Sequence, residues 1–477
     1  MQIGATRVLS RLLALPFLFG WASTVMSASE YRAIWLDSWN PGFLDEATCR
    51  LTFERLRQHN FNLVFVEAVK TMDAHHRSQW LPRATSLTDP NYDPLGTALR
   101  FAKPRNSKLR PLEVHAWMVA LRAWKEKPFP PKDQKPKHVT HAHPEWLSKT
   151  HKGGKQDAES NHFLDPGHPE VQDFVVNVAK ELVTNYPVDG LHLDYIRYPT
   201  ADWGYNPAAL FRFQKETGRK DVPAPSDPQW SAWRREQVTA IVRRISGEIR
   251  DIRPGIALSA ATITWGGIPD GDFTKTRAYK DALQDWVGWV REGLIDINVP
   301  MDYKRANDPG QSQDFVDWVK LARATNTDRH LIVGLGAWLN PLEGTKRQAA
   351  VAERLGADGV ALFSYNQAES SEREPQYVLR DISGSLFQDP APVPSPGWLN
   401  RPTTGIVAGR DPQHRGGFPV LLLDGDRRKL AETRTDANGR FYFHRVKPGT
   451  YQAQVGRASL LSKPFRLVAG KVERVTF

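Results

Sequence analysis

Cysteine is almost absent from this sequence, because Cys49 is its one thiol among 477 residues. A single cysteine excludes a disulfide framework and a cysteine-rich zinc site. Beyond residue 28, no stretch approaches the roughly 20 consecutive apolar residues of a membrane-spanning helix. We therefore expect no stable insertion into a membrane.

The motifs of several common enzyme classes are missing as well. The sequence has no GxSxG elbow, no HExxH pair and no Gly-rich dinucleotide fingerprint. Their absence disfavours serine-hydrolase, zinc-peptidase and nicotinamide chemistry. His138, His141 and His143 do cluster, but their spacing is not that of a helical metal site. The sequence therefore predicts no metal ion and no cofactor.

The overall composition is that of a globular protein, with 40% hydrophobic and 25% charged residues. The formal net charge is +11, which favours acidic partners such as an anionic polysaccharide. A nucleic-acid partner is disfavoured, because no nucleic-acid-binding motif accompanies the charge. The sequence has 16 tryptophans. We expect most of them in the core, and exposed ones suit the flat faces of sugars.

The first 28 residues are typical of a secretory signal peptide. Arg7 and Arg11 precede a short apolar run from Leu12 to Trp21, and the small residues Ser27 and Ala28 follow. We therefore expect an exported protein, periplasmic or extracellular. The alternative is an N-terminal anchor that stays attached.

Eight short apolar segments recur after residue 30, with helical patterns between them. Such runs of Val, Ile, Leu and Ala are typical of strands buried on both faces of a parallel sheet. The alternation predicts an α/β fold, a (β/α)8 TIM barrel. The competing doubly wound sheet usually has a Gly-rich turn after its first strand, where this chain has DSWNPGF. The predicted strands are Arg32–Asp37, Asn62–Glu67, Glu113–Met118, Val188–Asp194, Gly255–Ala261, Ile295–Asp302, His330–Leu335 and Gly359–Ser364.

The composition changes near residue 388, where a Pro-rich stretch begins. Short β-like segments with turn residues follow it, which predicts a small all-β sandwich. The expected domains are a signal peptide at 1–28, the barrel at 29–387, a linker at 388–402 and the sandwich at 403–477. A long insertion after the third strand, Val119–His168, falls at the end of the barrel where sites form.

The segment VDGLHLDYIRYP at 188–199 resembles the signature of glycosyl-hydrolase-like family 10. The segments RAIWLDSW, LEVHAWM, FLDPGHPEV, LIVGLGAW and DGVALFSY match in the same order. The resemblance implies a barrel enzyme like the bacterial envelope hydrolases of peptidoglycan glycan strands stripped of their stem peptides. One departure is Pro300-Met301-Asp302-Tyr303-Lys304, where many members have Pro-Gln-aromatic-Tyr-Trp. The C-terminal segments TDANGRFYF and PGTY resemble carboxypeptidase-regulatory or transthyretin-like modules.

Glycoside hydrolysis requires two carboxyl groups that flank the scissile bond. Asp194 is the first candidate, because it ends the fourth predicted strand. Asp302 is the first candidate for the second carboxyl, followed by Glu67 and Asp37. The structural alternatives are a loop cap or an ion pair with Arg197 for Asp194, an ion pair with Lys304 or Arg305 for Asp302, and an ion pair with Arg32 for Glu67. The predicted substrate contacts are Asp37, Trp117, His192, Arg197, Tyr198, Tyr303, Trp338, Tyr365 and Asn366.

Two of these contacts have specific interpretations. Arg197 is a candidate contact for the lactyl carboxylate of muramic acid, with a loop-bracing salt bridge as the alternative. His192 and Trp117 are candidates for the barrel interior as well.

The sequence thus predicts an exported glycoside hydrolase whose partner is a polysaccharide, an amino-sugar polymer of the cell envelope. Two alternatives stay open. One is a non-catalytic glycan-binding or scaffold protein, and the other is a hydrolase of an exopolysaccharide such as poly-N-acetylglucosamine.

Overall fold

The computed structural model describes residues 29–104, 110–125, 129–371, 373–456 and 460–477. The predicted signal peptide lies outside the described residues. Eight parallel strands close into a barrel in chain order, and the eighth pairs with the first. The predicted (β/α)8 TIM barrel is confirmed, with all eight predicted strands in it. They are β1 (Tyr31–Leu36), β2 (Leu63–Val69), β3 (Glu113–Val119), β4 (Gly190–Asp194), β5 (Ala257–Ile263), β6 (Ile297–Met301), β7 (His330–Gly336) and β8 (Gly359–Phe363).

Side chains alternate along the strands between the barrel interior and the helix layer. In β1, Ala33 and Trp35 belong to the inner cluster, whereas Ile34 and Leu36 pack beneath the helices. This alternation follows from the two-residue repeat of a strand. Every residue of β1 is buried, which is why the strand is a continuous apolar run in the sequence.

Helices follow the strands and form the outer layer. Asp45, Asp227 and Asp308 each accept a hydrogen bond from a backbone N–H of the helix that follows them, which stabilises its first turn. The longer helices are α1 (Glu46–Gln58), α2 (Pro94–Ala102), α3 (Pro169–Asn185), α4 (Pro207–Thr217), α5 (Pro228–Ile252), α6 (Trp286–Glu292), α7 (Pro309–Thr325), α8 (Leu342–Arg354) and α9 (Pro375–Ser383). No helix in the described ranges is long and apolar enough to cross a membrane.

The insertion after β3 carries secondary structure of its own. Arg122–Trp124 pairs antiparallel with His162–Phe163, and a short helix spans Val139–Ala142. Because the ribbon starts directly after β3, it holds Arg122 above the carboxyl-terminal end of the barrel strands.

The C-terminal region is all β, as predicted. It contains a three-stranded sheet in the order β12–β9–β16 and a second sheet in the order β11–β10–β13–β14, in which β15 also pairs with β13. An apolar cluster that includes Val407, Leu422 and Phe441 forms its core. The strands are β9 (Gly405–Arg410), β10 (Pro419–Leu423), β11 (Lys429–Arg434), β12 (Arg440–Val446), β13 (Gly449–Val455), β14 (Leu460–Leu461), β15 (Phe465–Leu467) and β16 (Val472–Val475).

This β region docks on helices α3 and α5 through buried polar contacts. The hydroxyl of Tyr442 donates to Oε1 of Glu248 at 2.6 Å. The guanidinium of Arg244 lies 2.5 Å from Asp173 and 3.2 Å from Asp436, and only 5% of its side chain is exposed. Because these partners belong to both regions, the barrel and the β region form one packed body.

Candidate active site

Asp194 lies at the end of β4, at the carboxyl-terminal opening of the barrel (the mouth). Its Oδ2 accepts a hydrogen bond from the indole Nε1 of Trp117 at 3.2 Å, and its Oδ1 accepts one from the backbone N–H of Tyr195 at 2.6 Å. Tyr195 has a φ of 48°, a left-handed conformation that is costly for a non-glycine residue. The chain thus turns sharply after Asp194 and fixes its carboxylate.

Burial raises the pKa of Asp194 above its ordinary value, and the charges of Arg197 and Arg122 oppose that rise. The two guanidiniums flank the ring of Tyr195, with Arg122 at 4.2 Å and Arg197 at 4.7 Å from its centroid. Asp194 is therefore a nearly buried carboxyl, 6% exposed, within the electrostatic influence of two arginines. A carboxyl with a raised pKa can hold a proton for a leaving group.

Glu67 approaches the mouth from β2. Its Oε2 accepts two hydrogen bonds from Ser38, one from the backbone N–H and one from the hydroxyl, each at 2.8 Å. Its Oε1 has no hydrogen-bond partner among the described residues. Burial raises the pKa of Glu67 to about 7, and Arg122 again opposes the rise. Arg122 thus acts on both carboxyls, Glu67 and Asp194.

Asp37 is bound within its own loop. Its Oδ1 accepts from the backbone of Trp39 at 3.1 Å and from the side chain of Asn40 at 2.9 Å, and its Oδ2 accepts from Ser364 at 3.0 Å. With both oxygens hydrogen-bonded, Asp37 shapes the loop after β1 and ties it to the chain that follows β8.

Asp302 and Tyr303 point in opposite directions. The ring of Tyr303 contacts Trp338 and Phe363, with centroid distances of 4.8 and 5.7 Å, and the charge of Asp194 raises its pKa further. The carboxyl of Asp302 instead has Lys304 3.6 Å away. Burial raises the pKa of Asp302 to about 8, and the charged groups acting on it are Lys304 and Asp314 of α7. Tyr303 therefore faces the mouth, and Asp302 faces the helix layer.

Three predicted contacts are buried side chains. His192 is fully buried, accepts from the indole Nε1 of Trp35 at 3.1 Å and stacks on Phe65. Tyr198 and Tyr365 are 1% and 3% exposed and pack in the layer between strands and helices. His192 therefore lies inside the barrel, whereas the two tyrosines, which follow the ends of β4 and β8, are packed against the helix layer at the carboxyl-terminal end.

Trp338 and Asn366 line a shallow groove of about 570 Å³ beside the mouth. The amide of Asn366 also donates to the carbonyl of Pro41 at 2.7 Å. Ring contacts connect the groove with the carboxyl site, because Phe363 lies between Trp338 and Trp117, with centroid distances of 5.4 and 6.2 Å.

Two tryptophans that the sequence analysis did not single out flank the mouth. Trp39 is 40% exposed, and its ring is surrounded by Lys70 at 4.2 Å, Lys125 at 5.5 Å and Arg122 at 5.7 Å. Trp265 has Arg197 at 4.8 Å. The mouth thus combines aromatic faces with positive charge.

The described residues hold no group of three His, Cys, Asp or Glu side chains arranged to bind a metal ion. The histidines of the insertion have separate partners. His138 hydrogen-bonds to the Thr71 carbonyl at 2.8 Å, and the ring of His143 stacks on Trp146.

The family model described as glycosyl hydrolase-like 10 matches residues 30–342. The chain belongs to this family. Glycosyl hydrolase YngK of Bacillus subtilis is 26% identical over 422 residues, covering 82% of this chain and 77% of that protein. Glycosyl hydrolase DigH of Escherichia coli K12 is 27% identical over 351 residues, covering 66% of this chain and 74% of that protein. The predicted enzyme class, glycoside hydrolase, is confirmed at the level of family and named relatives.

Solved structures of lower identity share the fold of this glycosyl hydrolase-like 10 chain. The glycoside hydrolase domain of PgaB (BpsB) from Bordetella bronchiseptica aligns with a TM-score of 0.52 at 16% identity, covering 75% of this chain and 99% of that domain. The catalytic domain of a β-amylase from Paenibacillus polymyxa aligns with a TM-score of 0.51 at 12% identity, covering 76% and 100%. These similarities show the barrel fold.

The principal residue that sequence reasoning missed in this glycosyl hydrolase-like 10 barrel is Arg122. The sequence contained a signal for it, because Arg122 follows β3 within four residues and opens the long insertion. Trp39 likewise comes directly after the predicted first strand. Polar and aromatic residues just beyond a strand, and not only its last residue, belong on a list of barrel-site candidates.

Proposed function

We propose that this chain is an exported glycoside hydrolase that cleaves an amino-sugar polymer of the cell envelope, with peptidoglycan glycan strands as the first candidate. The observation that carries the proposal is Asp194, a buried carboxyl of raised pKa held at the mouth by Trp117 and Tyr195.

Asp194 is the carboxyl that protonates the glycosidic oxygen as the bond breaks. Glu67 is the second carboxyl, on a strand two positions round the barrel, with one oxygen directed to no partner in the described chain. Arg122 opposes the rise that burial causes in the pKa of both groups. It thus stabilises the carboxylate with which Glu67 reacts and the carboxylate that Asp194 becomes after it has donated its proton. Glu67 either activates water on the opposite face of the sugar or attacks it directly, and the configuration of the first product distinguishes the two.

The charge of the mouth supports an acidic polymer. Lys70, Lys125 and Arg122 surround Trp39, and Arg197 lies against Trp265. Sugar rings stack on such aromatic faces, and carboxylates on the polymer pair with the cations. Peptide-stripped glycan strands of peptidoglycan offer both features, because removal of the stem peptide leaves a free lactyl carboxylate on the muramic acid.

Export is part of the proposal and is supported by the first 28 residues. Their positive start, short apolar run and small-residue end match a secretory signal. Fractionation of cells that express the full chain, with mass spectrometry of the mature N-terminus, tests it. A protein retained in the cytoplasm with an uncleaved N-terminus would contradict export.

The activity is tested by product release. Wild type, Asp194→Asn and Asp302→Asn are incubated with intact peptidoglycan, peptide-stripped glycan strands and poly-N-acetylglucosamine, and products are read by mass. We expect muro-oligosaccharides from stripped strands with wild type and Asp302→Asn, and none with Asp194→Asn. Asp302→Asn is the matched control, because it removes a buried carboxyl that faces away from the mouth.

Two other outcomes would contradict the proposed substrate or the proposed hydrolysis. Release from poly-N-acetylglucosamine alone would replace the proposed substrate with an exopolysaccharide. Binding without release from any polymer would contradict hydrolysis and favour the scaffold alternative.

A further inference from the structure

A second cavity lies at the opposite end of the barrel, between its amino-terminal end and the β region. Its volume is about 360 Å³, within the range of roughly 300–1,000 Å³ typical of small-molecule sites. The barrel contributes Arg250, Asp296 and Arg329, and the β region contributes His444 and Lys471. Because Asp296 and Arg329 precede β6 and β7, one strand length, roughly 20 Å, separates this interdomain cavity from the mouth.

Positive charge dominates the interdomain cavity. Four cationic side chains line it against two carboxylates, those of Asp296 and Asp328. Asp296 is paired with Arg250 at 2.6 Å, and Asp328 is bound to Arg445. Asp328 also lies 3.5 Å from Arg329. The net charge of the lining is therefore positive, and among the described residues Lys471 takes part in no ion pair.

Several hydrogen-bonding groups in the wall lack partners. In the described chain, nothing hydrogen-bonds to either ring nitrogen of His444 or to Nε of Arg329, although these atoms are buried. The charged groups acting on His444 are all arginines: Arg250, Arg243 and Arg329. A buried polar group without a partner destabilises the folded protein, and an acceptor bound in the cavity would offset that cost.

The rest of the wall is apolar or aromatic. Leu399, Pro402 and Val472 contribute to it. The indole of Trp398 lies under the guanidinium of Arg329 at 4.8 Å and donates to Asp296 at 2.7 Å. The cavity thus offers cationic donors beside a small apolar surface.

We propose that the interdomain cavity binds a small ligand that carries an oxyanion, a carboxylate or a phosphate. Lys471 and Arg329 pair with the oxyanion. Its oxygens accept hydrogen bonds from the N–H groups that otherwise have no partner among the described residues. The ligand would contact both the barrel and the β region, so its binding stabilises their docking. This site is separate from the mouth and does not depend on the proposed activity.

Binding is tested with the full mature chain by isothermal titration calorimetry and thermal unfolding. The probes are inorganic phosphate, glucuronate and glucose, of which glucose is the neutral match of glucuronate. We expect saturable binding of phosphate, glucuronate or both, a melting temperature that rises with probe concentration, and no effect of glucose. Binding of phosphate alone identifies a phosphate ligand, and binding of glucuronate alone identifies a sugar acid.

Two variants locate the site. Lys471→Gln and Arg329→Gln are each expected to weaken binding by about tenfold, the size of one charged hydrogen bond. Lys471 is exposed, so its variant tests the proposal even if the buried arginine is needed for folding. Lys447→Gln is the matched control, because Lys447 is an exposed lysine of the β region outside the cavity.

Three results would overturn the proposal: no saturable binding of either anion, equal binding of glucose, or unchanged affinity in Lys471→Gln. Because the readout is binding at the interdomain cavity, these results leave the test of hydrolysis at the mouth unaffected.

Discussion

The indole Nε1 of Trp117 donates a hydrogen bond to Oδ2 of Asp194 at 3.2 Å. Trp117 pairs in register with His192 on the neighbouring strand, two residues before Asp194. The indole therefore reaches up from inside the barrel to the carboxyl at its rim. A rigid strand, rather than a loop, positions the proposed general acid.

We expect Trp117→Phe to move the alkaline limb of the pH–rate profile to higher pH. The indole donor stabilises the ionised carboxylate and lowers the pKa of Asp194, so its loss lets that pKa rise further. The profile of kcat/KM against pH checks this. Trp289→Phe is the control, because it removes another buried indole donor, which binds Thr239 of α5 at 2.9 Å in the helix layer. An unshifted limb in Trp117→Phe would show that the bond does not tune the acid.

Arg122→Gln is expected to move both limbs of the profile to higher pH. Its charge lowers the pKa values of Glu67 and Asp194, so removing it raises both. We also expect kcat/KM to fall by about 10²-fold or more, in the range of a lost general acid–base contribution. Arg122→Lys keeps the charge and should restore most of the pH profile. A shift of one limb alone would mean that Arg122 serves only one carboxyl.

Asp302→Asn is expected to keep hydrolysis within about twofold of wild type, as for substitutions outside a catalytic constellation. It should also change stability in a pH-dependent way. The pKa of Asp302 is raised to about 8 in the folded protein, whereas an unfolded Asp titrates near its usual value, about 4. Wild type therefore loses stability as pH rises from about 4 to 8, and the asparagine variant avoids that loss. Melting temperatures at pH 5 and pH 8 check this, and a constant difference between the two proteins would contradict it.

Arg244→Ala is expected to destabilise the protein by about 3–5 kcal/mol, because it leaves a buried carboxylate without its partner. Asp436 is 4% exposed and is paired with Arg244 across the junction of barrel and β region. Urea unfolding measures the loss. Arg428→Ala is the control, because its pair with Asp426 is exposed, 78% and 71%, and such pairs contribute about 0–1 kcal/mol.

Trp39→Ala is expected to raise KM for the polymer by about tenfold with little change in kcat. The variant loses one aromatic contact to the sugar, about 0.5–1.5 kcal/mol, and the ring that orders the nearby cations. Phe211→Ala is the control, because Phe211 is a 65% exposed aromatic side chain on helix α4. Equal KM changes in the two variants would indicate a general surface effect.

The barrel could be predicted from sequence because its strands are buried on both faces. Continuous apolar runs such as those of β1 and β5 differ clearly from the spaced apolar residues of an amphipathic helix. Eight such runs in alternation with helical patterns predict a (β/α)8 barrel. The all-β character of the C-terminal region followed from its turn residues, such as Asp436 and Gly439, which bracket the turn before β12.

The candidate site was only partly predictable. Asp194 could be chosen because it ends a strand, but the direction of Asp302 depends on how the chain leaves β6. Successive side chains point in opposite directions, so a shift of one residue decides whether a side chain faces the mouth or the helix layer. Here Tyr303 faces the mouth. Arg122 reaches Asp194 and Glu67 through a ribbon formed with His162–Phe163, some 40 residues further along the chain. Such a contact has no local sequence pattern.

The close packing of Gly247 against Tyr442 limits which domains could replace the β region. A Cβ at residue 247 would overlap the tyrosine ring. The ring of Tyr442 therefore packs on α5 at a notch where the helix has no side chain. Exchange of the β region for an unrelated module would leave that notch empty and Glu248 without its hydroxyl donor. We therefore expect exchange of the β region to destabilise the protein unless the contact surface of α5 is exchanged with it.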